Sequence, residues 1–472
     1  MPIQQRLKNL LDFNRWTPFV LLSSLACVGC RPDSQPVDSS LSRDDAGRSS
    51  PVTDDQHRPT PPQRLFAESL GTAYRDVTAR VSIQLVSEVR LPVVNGRRAI
   101  WGASGRDERG HLWFGISVGG ARSAHLIEYD PQTDTAIDRG DVLENLATSG
   151  HLTDGMSQTK IHSKIWQADD GYLYFTSSDE DGEREDGTQL PRWGSHLWRY
   201  DPGQSHWEHL MAVPEALIAT ACSGRYVYAL GYFNHTLYQW DTVTATSRST
   251  VIGAPGGHVS RNVICDPRGH VYVPRVSDLG RIPNAEQFSD DRVAISNQGG
   301  RAFASSLVEL DADLVEIQQV ALVGYDPDSG FSSHGITAFS YFSDGRIALG
   351  SHSGSLHLIT PGRANEPASI QFLCRLDDAE KLYPGAMICL DGKRWLAIMV
   401  GENGRDWRRC DVENGMLTKM KASGLDQIDG RKGLLLYGSH TRGDDGSAYI
   451  VGRWNSPGGI QPLVLRMQIT SP

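Results

Sequence analysis

Residues 159–207 run TKIHSKIWQADDGYLYFTSS, then an acidic loop, then GSHLWRYDPGQSHW from Gly194 onward. Lys160–Ile165, Tyr172–Ser178 and His196–Asp201 are short runs separated by an Asp-Asp-Gly turn, a long loop and an Asp-Pro turn, and they read as three successive strands. Alternation along the first strand places Lys160, His162 and Lys164 on one face.

The same unit recurs along the chain. A turn followed by an aromatic-rich strand appears seven times: RGHLWFGIS at 109, DGYLYFTSS at 170, GRYVYALGY at 224, RGHVYVPRV at 268, DGRIALGSH at 344, DGKRWLAIM at 391 and DGSAYIVGR at 445. A further strand often follows and ends in Asp, as in HLIEYDP at 125, HLWRYDP at 196, TLYQWDT at 236 and SLVELDA at 306, with SLHLITP at 355 a degenerate copy. A strand also precedes each turn: AIWGAS at 99, KIHSKI at 160, LIATAC at 217, SRNVIC at 260, HGITAF at 334, GAMICL at 385 and LLLYGS at 434. The expected fold is therefore all-β, a seven-bladed β-propeller whose first strands line a central channel. The last unit, from Gly433, is one strand short, and VSIQLVSEVRLP (81–92) is an alternating strand with no unit of its own. An N-terminal strand completing the last blade would close the ring and remove an exposed edge. With 48 glycines, 24 prolines and no long run of apolar residues at helical spacing, nothing competes with the all-β reading. Two loops are longer than hairpins need, Asp179–Trp193 and Ser277–Arg301, and both are expected to roof one end of the channel.

The N-terminal segment is set apart from the repeats. Arg6, Lys8 and Arg15 precede a mostly apolar run from Trp16 to Gly29 that ends in small residues and is short for a membrane span, as in a secretory signal. SSLACVGC (23–30) resembles a bacterial lipoprotein signal with Cys30 as the lipidated residue. Cleavage at Cys27 and ordinary secretion are the alternatives. Residues 31–64 hold six prolines, six serines and no aromatic residue, and so read as a tether that cannot offset the entropy of ordering. The expected organisation is a signal over 1–29, a tether over 30–75 and the propeller over 76–472, exported and held by lipid at a bacterial cell envelope.

The net charge of −10 becomes −12 once residues 1–29, with three basic residues and one acidic residue, are removed. Such a body disfavours nucleic acid, or a membrane reached other than by a lipid anchor, as partner. A monomer is expected. Beyond the signal, Cys222, Cys265, Cys374, Cys389 and Cys410 form an odd set; Cys374 and Cys389 are near enough in sequence to close a short loop.

His162 is the first candidate for chemistry, as a base near neutral pH or as a histidine satisfied within the channel wall. Arg261, in SRNVIC, suits a carboxylate, or an ion pair between blades. Tyr232, in YALGYFNH, offers a phenolic proton or a packed ring. Lys160, Lys164, His334, His352 and His440 are candidate substrate-binding residues. No cofactor is expected; the three histidines leave a metal ion open as an alternative, although spacing across blades says nothing of convergence. The run Asp179, Glu180, Asp181, Glu183, Glu185, Asp186 lacks the spacing of a calcium loop and reads as a solvated acidic loop. G-x-S-x-G, phosphate-loop and H-E-x-x-H motifs are absent.

KIHSKI, DGYLYFTSS and GSHLWRYD, together with SRNVICDPRGHVYV, resemble the blade pattern of propeller polysaccharide lyases, the seven-bladed ulvan lyases in particular. The resemblance implies cleavage of a uronate-containing polysaccharide by β-elimination. An arginine would neutralise the carboxylate, and a histidine and a tyrosine would move the protons; His162, Tyr232 and Arg261 stand at the corresponding places. The family carries a second histidine where this chain reads FTSSDEDG, and His196 beyond the loop is the nearest. A different sugar, or a glycan- or protein-binding propeller without catalysis, therefore stays open, as does a metal-assisted hydrolase or lactonase.

Overall fold

A computed structural model describes residues 81–470, except 121–122, 185–187, 254–259, 282–293, 299, 323–334, 365 and 378–381. The signal, the tether, Cys30, Glu185, Asp186 and His334 lie outside the described residues.

Seven sheets, antiparallel except at one outer edge, follow one another along the chain. Blade 3 is the simplest: Leu217–Ser223, Tyr226–Gly231, Thr236–Asp241 and Thr246–Val251 pair in sequence order. Blades 5 and 6 repeat it over Ile336–Arg375 and Pro384–Lys419. The burial along each blade explains the sequence pattern. Second strands such as Leu112–Val118 and Leu173–Ser178 are buried at every position, whereas the outermost Thr246–Val251 is nearly all exposed. The core accordingly lies between neighbouring blades, for instance where Ala219, Tyr228 and Leu230 of blade 3 meet Val263, Val273 and Val308 of blade 4. The recurring turn needs a left-handed residue, and all seven turn glycines supply it: Gly110, Gly171, Gly224, Gly269, Gly345, Gly392 and Gly446 have φ of 85°, 82°, 55°, 85°, 86°, 77° and 77°.

The ring closes as the sequence predicts. Ser82–Glu88 pairs antiparallel with Gly459–Thr470, the last strand of blade 7, and Ile83 faces Ile469 across the seam. Lys421–Ser423 then pairs in parallel with Ser82–Gln84, so this outer edge is itself covered. The fourth blade departs from its neighbours. Val271–Gly280 and Arg301–Leu310 run longer than the strands of blades 3 and 5, and Ala294–Gln298 pairs back on the latter, so part of the expected Ser277–Arg301 loop is sheet. A seven-residue helix, Val142–Thr148, capped by the Asp141 side chain on Glu144 N, links blades 1 and 2.

Candidate functional site

The first strand of blade 2 is interrupted. Lys160–Ile161 and Trp166–Gln167 each pair with Leu173–Ser178, and between them Ser163 Oγ takes the place of a ladder partner, accepting from Thr176 N at 3.0 Å. Ile165 N donates to Ser104 O of blade 1 at 3.1 Å, and Thr220 Oγ1 of blade 3 donates to Lys164 O at 2.6 Å. This break turns His162 and Lys164 into a cavity at the centre of the ring, also lined by Trp101, Thr220, Arg261 and Tyr437 from four other blades.

Within it, His162 Nδ1 lies 3.2 Å from the Ile218 carbonyl, which can only accept. The ring is therefore protonated on Nδ1, and Nε2 offers its lone pair to the Tyr232 hydroxyl, 3.5 Å away and long for a hydrogen bond. Trp101 lies parallel to the imidazole at 6.5 Å, and the Tyr232 ring stands edge-on to it at 6.2 Å. Burial, followed by the Lys160 and Arg261 charges, pulls the His162 pKa down to about 3. Tyr232 is 3% exposed, and burial together with Glu180 and Glu183 pushes its phenol well above its ordinary value.

Each of two cations of the site is met by a carboxylate. Lys160 is ion-paired with Glu180, and its ammonium sits 5.5 Å from the Trp101 ring centroid. Arg261 Nη1 bonds Glu402 Oε1 of blade 6 at 2.8 Å, with the arginine side chain 33% and the glutamate 15% exposed. Tyr383 adjoins Glu402, and His352 stacks on Tyr383 at 5.1 Å. Arg453 lies 5.5 Å from the Trp101 centroid and donates to the Tyr437 hydroxyl at 3.0 Å. Deeper in the ring, Lys164 Nζ donates to the His440 carbonyl at 2.8 Å beside Trp166 and Phe339, and burial lowers its pKa to about 7. Burial, then Lys164 and Arg442, holds His440 well below the ordinary histidine range.

His162, Tyr232, Arg261, Lys160 and Lys164 thus share one region, His352 borders it through Tyr383, and His440 meets it through Lys164. The acidic loop is not simply solvated, since Asp179 is buried, accepting from Ser157 Oγ, and Glu180 caps Lys160. Trp101 and Tyr437 lie in the first strands AIWGAS and LLLYGS without being singled out there, and Glu402, Tyr383 and Arg453 carry no sequence signal of their own. They come from strands and turns remote in sequence, and only the register of the blades aligns them.

Two further assemblies collect ligand-type atoms, Asp107–His111–Glu128 and Asp266–His270–Glu309, each with its atoms within 4.8 Å of one another. Both are able to hold a metal ion, but both contain a guanidinium. Arg268 Nη2 lies 2.6 Å from Asp266 Oδ2 and 3.0 Å from Glu309 Oε1, and Arg109 Nη2 lies 2.6 Å from Asp107 Oδ2 and 2.8 Å from Glu128 Oε1. An ion would have to displace that cation. The signal was present in the sequence as a repeat, DERGHLW at 107 and DPRGHVY at 266.

By sequence the chain matches no protein family and no curated protein. By structure it is similar to a protein of unknown function from Dyadobacter fermentans DSM 18053, 11% identical over 82% of this chain and 100% of that one, with a TM-score of 0.46. It is also similar to a chain from a mitotic checkpoint complex, 8% identical over 89% and 98% with a TM-score of 0.46, and to U3-55K, 10% identical over 82% and 98% with a TM-score of 0.44.

Proposed function

We propose that the channel site acts on a uronate-containing polysaccharide by β-elimination. The observation that carries this reading is the His162–Tyr232 contact beside Arg261: an imidazole and a guanidinium line one cavity, and the imidazole Nε2 lone pair faces a phenol held protonated. A uronate C5 proton is acidic enough to remove only when its carboxylate is neutralised, and Arg261 supplies that charge once Glu402 gives way. His162 Nε2 then takes the C5 proton. Its pKa is low partly because Lys160 and Arg261 repel the charged form, so a bound carboxylate offsets that repulsion and strengthens the base. Tyr232, kept neutral, donates its proton to the departing glycosidic oxygen. The elimination leaves a C4–C5 double bond on one fragment and a hydroxyl on the other, so no water is consumed. Export, with Cys30 as the lipid anchor, would place this site where extracellular glycans are met.

A second reading, a glycan- or protein-binding propeller without catalysis, is favoured by one observation. Tyr232 is 97% covered, and its hydroxyl faces His162, so the substrate reaches the acid only past the base. The deciding experiment follows the ultraviolet absorbance of unsaturated uronate products on a panel of uronate polysaccharides, with His162→Ala beside the wild type. An absorbance rise abolished by the substitution supports elimination; glycan retention on an affinity column without any rise supports the binding reading.

A further inference from the structure

Cys374 lies in Ser369–Arg375, the outermost strand of blade 5, and Cys410 in Asp406–Asp411, the third strand of blade 6. Their side chains meet between the two sheets, where the thiols are hydrogen-bonded to each other and sit in one apolar cluster with Leu356, Leu373, Val412 and Leu417. Both backbones are fixed. Cys374 faces Leu356 and Cys410 faces Leu417 in register, Arg408 donates across the interface to the Leu376 carbonyl, and a Cβ built on Gly415 of blade 6 would lie 3.5 Å from Cys374 Cβ.

We propose that Cys374 and Cys410 are a redox pair that closes into a disulfide joining blade 5 to blade 6. The other cysteines are placed otherwise. Cys389, the partner nearest in sequence, faces the Gly392 backbone and Arg442, and Cys265 is engaged with Tyr341 and the Cys222 backbone. The pair is also chemically asymmetric. Cys374 is partly exposed and its thiolate is favoured by the hydrogen bond from Cys410, which is fully buried and held as the thiol. The Cys374 thiolate attacks a disulfide oxidant, either oxidised glutathione or a dithiol–disulfide oxidoreductase. A bond forms between the two sulfurs and half of the oxidant leaves as a thiolate. Cys410 then loses its proton and attacks the Cys374 sulfur, expelling the other half. Two protein thiols lose two electrons and two protons, and the oxidant becomes two thiols. The bond braces the two segments that bring Tyr383 and Glu402 to the channel, since Tyr383 directly precedes the first strand of blade 6 and Glu402 lies in the turn entering the Cys410 strand.

The test is a peptide map. The purified full chain is equilibrated in glutathione buffers from reducing to oxidising, blocked with an alkylating agent and digested with trypsin without reductant. The expected product joins residues 364–375 to residues 410–419, each of which contains one cysteine. Oxidation is expected to raise the unfolding midpoint of the wild type and to leave those of Cys374→Ser and Cys410→Ser unmoved. Recovery of both peptides only as alkylated thiols at every poise overturns the proposal. So does Cys374 found only on glutathione, or linked to Cys389.

Discussion

The channel site and the Asp266–Arg268–His270–Glu309 assembly are built from the same side-chain types and are put to opposite uses. In blade 4 every donor meets an acceptor. Asp266 takes Arg268 N, Arg268 Nη2 and Tyr272 OH at 2.8, 2.6 and 2.7 Å, while Glu309 takes His270 Nδ1, Gln318 Nε2 and Ala368 N of blade 5 at 2.8, 2.6 and 2.9 Å. Neither carboxylate has any exposed side-chain surface. Blade 1 repeats the arrangement with Trp113 in place of Tyr272. In the channel, by contrast, the carboxylates on Lys160 and Arg261 come from a loop and a turn, both pairs are partly exposed, and Arg261 lines the cavity. A closed polar network ties blades together; an ion pair facing a cavity can be exchanged for a ligand.

Acid should break the contrast most broadly. Whereas His270 and His111 face carboxylates, His196, His235 and His357 are buried, and burial lowers their pKa values to about 3, 4 and 4. A histidine whose folded pKa is depressed below the unfolded value, about 6.5, contributes its full stability above that pH and loses it as the pH falls towards the folded value. Each histidine gives a slope of at most about 1.4 kcal/mol per pH unit, so the three together reach about 4. Denaturant unfolding is expected to weaken steeply from about pH 6.5 to about pH 4.5, above most carboxylate titration. His357→Leu should remove one such share, at most about 1.4 kcal/mol per pH unit. A stability that stays level over this window would sink the account.

Next in size is the loss of Glu309. Glu309→Ala takes the carboxylate from the buried His270, leaves Arg268 with Asp266 alone as its carboxylate partner and frees Ala368 N, so a loss of about 3–5 kcal/mol is expected in the same unfolding assay. A cost under about 1 kcal/mol would mean that the assembly is not the brace its geometry suggests.

This division also marks what the sequence made legible. The blades were readable because each is local: the Gly turn, the alternation and the closing Asp recur within one unit, and the unpaired strand at 81–92 fits the one edge left open. His162, Tyr232 and Arg261 were legible as candidates by their positions in that unit. Their partners were not, because Arg261 and Glu402 stand 141 positions apart and meet only when blades 4 and 6 are brought across the ring. The acidic run was misjudged for a related reason. Glu180 looks like a solvated charge until the loop folds back onto Lys160.

For the channel itself, His162→Asn keeps a donor for the Ile218 carbonyl and removes the Nε2 lone pair. Elimination is expected to slow by about 10²–10⁴-fold, with stability changed by less than about 1 kcal/mol. This is the reverse of the Glu309 result, measured by product absorbance alongside unfolding. An equal loss of stability and rate would return His162 to the structural class.

The smallest effect is the most specific to the exchange of ion pairs. If Glu402 holds the place of a substrate carboxylate on Arg261, then Glu402→Gln, which keeps the shape and removes the charge, lowers the cost of opening the pair. Calorimetric titration with a monomeric uronate is expected to show about tenfold tighter binding, equal to about 1.4 kcal/mol. That figure is near the upper end for a pair this exposed, since solvent already screens part of the attraction. The gain should shrink at high salt, which weakens the wild-type ion pair and the ligand contact alike. Unchanged or weaker binding would mean that Glu402 orients Arg261 rather than competing for it. The channel would then join the assembly of blade 4 as a fixed network, and the difference between the two regions would be one of exposure alone.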